Sequence, residues 1–365
     1  MPRAGAVPPI AYAKSNGANI AYQVFGQGPA TIVLVPGFIS HIEFAWHEPS
    51  LARFLRKLSS YVRVVAFDKR GMGLSDRSST DATPNLEQRR DDIEAVMDAI
   101  DAPSAVLLAW SEGGPTALSF AETRAERCEG LILIGTSSSF VRSEAVPSAI
   151  PRALLETFIE VIEEGWGSGV AFELYAPSLV ADDRAREWWA SYQRLACSPG
   201  AVAASLRLHL EIDVHEALPH IHVPTLVVHQ IEDMVIPVEC GRALADQIPE
   251  AYLMERTGSD HLYWLGDQDE SLLAIRALLG RTRFAAGLPS GRGGRPPRPK
   301  SGWESITESE MDVVRLLVTG NTNREIGQRL HLSPRTVETH VAHVMQKLGL
   351  GRRAEVAAEG IRRGL

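Results

Sequence analysis

The chain reads as an α/β protein, a mostly parallel sheet beneath a helical cap, followed by a small all-α domain of four helices. Three observations predict this. Up to about residue 285, short apolar runs rich in Val, Ile and Leu alternate with helix-like segments. A long, mostly helical stretch interrupts that alternation between Gly135 and Pro224. Beyond Ser301 the pattern changes to short helices marked by capping residues.

The runs at residues 10–13 and 19–25 flank Ser15-Asn-Gly17, a spacing that predicts an antiparallel hairpin at a sheet edge. Further strands are expected at residues 30–35, 62–67, 105–110, 131–135, 225–229 and 252–255. Continuous apolar strands separated by helices are what a parallel sheet covered on both faces requires. The interruption, about residues 137–218, is too long for a plain connection and predicts a cap over a pocket. Its aromatics, Trp166, Tyr175, Trp188, Trp189 and Tyr192, either line that pocket or pack the cap on the main domain. The first domain is expected over residues 1–285, a Gly, Pro and Arg linker over 286–300 and the helical domain over 301–365.

Charge divides the chain at the same place. Residues 1–280 carry 22 basic and 37 acidic side chains, residues 281–300 six basic and none acidic, and residues 301–365 nine basic and eight acidic. The large part should be repelled by phosphate, and the basic stretch beside the small part is where a polyanion would be attracted. Apolar residues make up 45% of the chain and charged ones 22%, ordinary for a soluble globular protein. No apolar run approaches the roughly 20 residues that span a bilayer, and the N-terminal segment has no apolar core of a signal peptide. The three cysteines, Cys128, Cys197 and Cys240, form no metal-binding spacing and no disulfide framework. A reduced, cytoplasmic protein with no membrane contact, no metal and no cofactor is expected.

Ala109-Trp-Ser111-Glu-Gly113 follows an apolar strand and precedes the helix-like Gly114-Pro-Thr-Ala-Leu-Ser-Phe120. Strand, tight turn and helix are the setting in which a serine hydroxyl is exposed as a nucleophile. Alanine stands where that motif has its first glycine. Serine needs a base within hydrogen-bond reach and a carboxylate to orient the base. Asp233, after the strand at 225–229, and His261, after the next strand, supply both in order; Glu232 and Asp260 are neighbouring carboxylates, and position relative to the strand favours Asp233. Backbone N–H groups of Glu112 and Phe38 are the expected oxyanion donors.

These motifs, with Asn19-Ile-Ala-Tyr-Gln-Val, Val35-Pro-Gly-Phe-Ile-Ser-His41 and Phe67-Asp-Lys-Arg-Gly-Met-Gly-Leu-Ser-Asp76, make residues 1–280 resemble an α/β-hydrolase. The resemblance implies the α/β-hydrolase fold and a pocket bordered by His41, Trp46, Trp110 and Trp264, suited to an ester, lactone or similar neutral carbonyl compound. The fold hosts enzymes and receptors alike.

In the C-terminal part, Thr307-Glu-Ser-Glu310 and Thr322-Asn-Arg-Glu325 have capping-box spacing, and Ser333-Pro334 opens a third helix. Val337, Val341, Val344, Met345 and Leu348 fall on one stripe of that helix and predict its buried side. The segment resembles the LuxR-type helix-turn-helix, through Gly320-Asn-Thr-Asn-Arg-Glu-Ile-Gly327, Ser333-Pro-Arg-Thr-Val-Glu-Thr-His340 and Lys347-Leu-Gly-Leu350. That likeness implies contact of Arg335, Thr336, Glu338, Thr339 and His340 with double-stranded DNA, Arg324, Lys347, Arg352 and Arg353 on phosphates, and a homodimer formed through the last helix. Joined, the two parts predict a transcriptional regulator whose hydrolase-type domain senses a small-molecule ligand, with hydrolysis of that ligand as the further expectation. The rival expectation is an esterase or lactonase whose DNA-binding tail localises or autoregulates it.

Overall fold

Eight strands form one sheet in the computed structural model: β1 (Ile10–Ser15), β2 (Ala18–Phe25), β3 (Thr31–Val35), β4 (Arg63–Phe67), β5 (Ala105–Trp110), β6 (Cys128–Ile134), β7 (Thr225–Gln230) and β8 (Ala251–Arg256), in the order β1-β2-β4-β3-β5-β6-β7-β8. The structure describes all residues except 1–6, 78–82, 288–302, 304, 305, 307, 331–333, 349 and 364; side chains 286, 287, 308, 309, 334–336, 339, 342, 343 and 346 are also outside the description. Most of the expected linker, from residue 288 on, therefore lies outside the described residues. The chain divides into two compact units, Met1–Gly293 and Gly294–Leu365.

β1 and β2 pair antiparallel around Asn16 and Gly17, both at positive φ, and β2 pairs antiparallel with β4. All remaining neighbours are parallel. The central strands are apolar throughout because helices cover both faces. On β5, Val106, Leu108 and Trp110 enter one core while Ala105, Leu107 and Ala109 enter the other. Each fully buried Leu, Ile or Val contributes about 1.5–3 kcal/mol, so the alternation fixes the register of the whole sheet.

The main-domain helices are α1 (Pro49–Leu58), α2 (Leu86–Ala99) and α3 (Gly113–Thr123), with α8 (Val238–Gln247) and α9 (Gln268–Leu279) later in the chain. Between β6 and β7 stand the cap helices α4 (Arg152–Gly165), α5 (Phe172–Tyr175), α6 (Asp183–Ala196) and α7 (Pro199–His209). Their starts are written locally: Asp182 caps α6, and Ser198 followed by Pro199 caps α7. Trp189 is fully buried, its indole donating to the Val170 carbonyl at 3.1 Å and its ring packing on Phe38, and Trp188 stacks on Phe44 and Tyr192, so these two aromatics pack the cap on the main domain.

The second unit holds α10 (Glu308–Val318), α11 (Asn323–Leu330), α12 (Pro334–Leu348) and α13 (Arg353–Arg362). Val337, Val341 and Val344 are buried with Val313, Val314, Leu317, Ile326 and Val356, and Met345 and Leu348 pack at the margin. At the start of α11, Thr322 and Glu325 form the reciprocal cap expected, Glu325 Oε2 accepting from the Thr322 N–H at 2.7 Å. Among the described residues no helix is long and apolar enough to cross a membrane.

Candidate active site

The turn from β5 into α3 forces Ser111 into the left-handed region, φ +52°, a conformation worth about 1–3 kcal/mol of strain in a non-glycine residue. Neighbouring groups hold it there. The Ser111 N–H donates to the Ile134 carbonyl at 3.0 Å, and the Thr136 hydroxyl donates to the Ser111 carbonyl at 2.5 Å. Gly113 is needed for close approach: a Cβ there would lie 2.6 Å from the Val35 carbonyl oxygen and 2.7 Å from that of Pro36. This contact brings the serine turn against the segment leading to Phe38. Ala109 fits at the motif's first position because its methyl points into the buried core on one face of the sheet, with Val33, Val35 and Ala117.

Three side chains far apart in the chain meet at Ser111. His261 Nε2 lies 2.9 Å from Ser111 Oγ, and His261 Nδ1 lies 2.7 Å from Asp233 Oδ2. With the Nδ1–H donating to Asp233, Nε2 is left to accept the serine proton, the arrangement a general base requires. Burial pushes the Asp233 carboxyl up, but His261 and the backbone of its own loop outweigh this and hold it below the usual carboxylate range. Asp233 Oδ1 accepts from the N–H groups of Val235 and Ile236 at 2.8 and 3.1 Å. The competing carboxylates are elsewhere: Asp260 accepts from Ser178 N–H in the cap at 2.9 Å, and Glu232 is exposed.

The loop carrying His261 is fixed from two sides. The Tyr175 carbonyl, at the end of α5, accepts from the His261 and Leu262 N–H groups at 2.9 and 3.1 Å, and the Trp110 indole donates to the His261 carbonyl at 3.1 Å. Phe38 and Glu112 both border the cavity at Ser111, and their N–H groups donate to no other described group.

That cavity has a volume of about 210 Å³. Its wall comes mainly from the cap and from the loop after β7: Leu154, Leu155 and Phe158 of α4, Leu206 and His209 of α7, and Met234 to Ile236. Of the four residues expected to border it, none does. His41, Trp46, Trp110 and Trp264 surround a separate cavity of about 80 Å³ on the far side of the Phe38 segment. The likeness placed aromatics near the site in sequence, but the pleat turns Trp110 away from the serine side, and the Trp46 indole is held by Gln23 at 3.0 Å.

Sequence reasoning also missed a buried polar cluster beside the serine turn. Glu112 Oε1 accepts from Lys69 Nζ at 2.7 Å and from Arg89 at 2.9 Å, and lies 2.7 Å from His209 Nε2. Burial pushes the His209 imidazole down to about 4, outweighing the pull of Glu112, so it is neutral near pH 7. Its Nδ1 sits 2.6 Å from the Ser205 carbonyl, and Nε2 takes the Arg89 N–H at 2.7 Å. A lysine beside an arginine in Asp68-Lys-Arg70 was the one available signal, and it reads equally as a solvated turn.

In the second unit, Arg324, Glu338 and Arg352 are exposed and His340 is half-buried. The side chains of Arg335, Thr336 and Thr339 lie outside the described residues. Two expected phosphate contacts are corrected. Lys347 Nζ is bound by both oxygens of the buried Glu310 carboxylate, at 2.8 and 3.0 Å, and braces α12 on α10. Arg353 is bound by Asn323 Oδ1 and the Asn321 carbonyl, tying α13 to the start of α11. Both cations are engaged in packing within the second unit.

Comparison with known proteins agrees with both halves. Residues 32–275 match the model of the alpha/beta hydrolase family, and residues 304–359 match that of bacterial regulatory proteins of the luxR family. A protein of Mycobacterium bovis named as an HTH-type transcriptional regulator is 46% identical over 101 residues, 27% of this chain; the chain matches 11% of that relative's length. A pimeloyl-[acyl-carrier protein] methyl ester esterase of Chromobacterium violaceum is 26% identical over 70% of this chain and 96% of its own. The solved structure of the esterase RhEst1 from Rhodococcus sp. ECU1013 superposes with a TM-score of 0.62 at 26% identity, covering 75% of this chain and 99% of that one. The chain belongs to the alpha/beta hydrolase family and carries a LuxR-type helix-turn-helix DNA-binding domain over residues 304–359.

Proposed function

We propose that the protein is a transcriptional regulator in which the hydrolase-type domain binds, and hydrolyses, a small neutral ester or lactone. The observation that supports hydrolysis most strongly is the hydrogen-bonded chain Asp233, His261, Ser111, with 2.7 and 2.9 Å contacts, opening on an apolar cavity. A receptor that only binds its ligand has no need of a strained serine paired to a base.

In the proposed reaction Ser111 Oγ attacks the carbonyl carbon as His261 Nε2 takes its proton, and the Phe38 and Glu112 N–H groups hold the oxygen that becomes negative. His261 then returns the proton to the leaving alkoxide. Water, activated by the same imidazole, releases the acid and restores the serine. In the second unit, α12 reads the major groove with Glu338 and His340, joined by Arg335, Thr336 and Thr339, while Arg324 and Arg352 meet phosphates. Two copies paired through α13 would favour a roughly palindromic site, and ligand occupancy would shift the population able to bind both half-sites.

The test is turnover of p-nitrophenyl butyrate and labelling by a fluorophosphonate, for wild type and Ser111→Ala, alongside DNA binding of both. Turnover and labelling lost in Ser111→Ala with DNA binding intact support the reading. A wild type that takes no label leaves a receptor, and equal labelling of Ser111→Ala removes Ser111 as nucleophile. The enzyme-first reading is favoured by the complete triad, and wins if substrate and product leave DNA binding unchanged.

A further inference from the structure

The two N–H groups assigned to the oxyanion come from separate segments, and one side chain fastens those segments to each other. Lys69, just past the end of β4, reaches beneath both. Its Nζ donates to the Phe38 carbonyl at 2.8 Å and to Glu112 Oε1 at 2.7 Å. The Lys69 side chain is 11% exposed and that of Glu112 is 5% exposed, so neither contact is a solvated surface pair. Arg89 and His209 complete the cage around the same carboxylate oxygen.

We propose that Lys69 is a positioning residue for the oxyanion hole: its ammonium locks the Phe38 segment to the serine turn so that both N–H groups converge on one oxygen. It also places a positive charge behind the two donors, where negative charge develops in the transition state. The inference rests on the hydrolytic reading above. An ordinary buried ion pair would explain one bond to Glu112, but not the second bond to the carbonyl of the other donor residue.

The charge state of Lys69 gives the proposal a signature. Burial pushes its ammonium down to about 8, against the pull of Glu112. The charged or titratable groups facing it are Glu112, Arg89 and Cys197, with His209 behind Glu112. Among these, burial pushes Glu112 up, but His209, Lys69 and Arg89 outweigh it and hold it far below its usual range; burial raises Cys197 to about 11 and lowers His209 to about 4, and a guanidinium does not titrate. Lys69 is therefore the group of this cluster that changes charge near pH 8.

Steady-state hydrolysis of p-nitrophenyl butyrate by the full chain, from pH 6 to 10, tests this for wild type, Lys69→Met and Lys69→Arg. Inhibition by phenylboronic acid, which forms a tetrahedral serine adduct, and thermal melts accompany each. Expected is a fall in kcat of about 10- to 100-fold in Lys69→Met with KM nearly unchanged, the scale of a donor moved off target. Boronate affinity falls in parallel. Wild-type kcat declines through about pH 8, and Lys69→Arg, whose charge persists, restores part of kcat and lacks that decline. Unchanged kcat and boronate affinity in Lys69→Met overturn the proposal alone, whereas a wild type inert to both ester and fluorophosphonate overturns the hydrolytic reading with it. Should Lys69→Met fail to fold, Lys69→Arg decides: the same alkaline decline as wild type refutes a role for this ammonium.

Discussion

Ser111 is held by its neighbours more than by its own preference, and the consequences can be tested one residue at a time. Gly113→Ala would drive a methyl against the Val35 and Pro36 carbonyls. A loss of about 1–3 kcal/mol in stability, seen in denaturant melts, and a larger proportional loss of esterase activity are expected, because the turn must retreat from Phe38. Asp233→Asn keeps the size of the carboxylate but favours the wrong imidazole tautomer. A fall in kcat of about 10⁴-fold with little change in melting temperature is the expected result. His209 provides a pH prediction. Burial lowers its folded value from 6.5 to about 4, so below 6.5 the unfolded chain takes up a proton that the folded chain refuses. Its contribution to stability is therefore lost as pH falls from about 6.5 to about 4. Wild type should lose melting temperature across that window more steeply than His209→Gln, and equal slopes would contradict a neutral, buried imidazole.

Among the elements, α4 and α12 divide their faces between packing and function. α4 buries Ile162 in the core while Leu154, Leu155, Phe158 and the buried Ile159 form the cavity wall. A bulkier side chain on that wall shortens the cavity without touching the triad. Leu155→Trp should lower kcat/KM for p-nitrophenyl hexanoate relative to acetate by about 10-fold or more, with acetate turnover retained. In the helix-turn-helix unit, Lys347→Met removes an ammonium held by the buried Glu310 carboxylate and should cost about 1–3 kcal/mol in a thermal melt. Arg324 is exposed, so Arg324→Ala should leave the melt unchanged and reduce the slope of log affinity for DNA against log salt by about 0.9. The opposite pattern would restore Lys347 to the phosphate backbone.

For the whole molecule, the division of charge and the division of structure coincide. A strongly acidic hydrolase-type unit precedes a basic stretch and a helical unit of nearly balanced charge. The acidic part adds nothing to phosphate attraction, so under the proposed reading the salt dependence of DNA binding is expected from the exposed arginines of the second unit and the basic stretch, and sequence preference from α12. Coupling between ligand and DNA, where it operates, must be reciprocal: operator DNA should change ligand affinity by the same factor as ligand changes DNA affinity, which titration calorimetry on the full chain measures directly.

By itself the sequence determined what is local or periodic. The eight strands could be placed because continuous apolar runs are required where helices cover both faces, and the turn at Ser111 because only a few residue types tolerate it. Asp233 and His261 were legible from their positions after consecutive strands, since parallel topology carries both loops to the same sheet edge. The buried stripe of α12 followed from its spacing. The tertiary structure alone decided what surrounds these groups. The cavity wall comes from cap helices whose faces are fixed by packing, so nearness in the motif order misplaced His41, Trp46, Trp110 and Trp264. The clamp at Glu112 joins Lys69, Arg89 and His209, and Arg89 meets His209 across 120 residues. Ion-pair partners depend on which side chains a folded core leaves facing each other. That is why Lys347 and Arg353, indistinguishable in sequence from phosphate ligands, prove to be struts within their own domain.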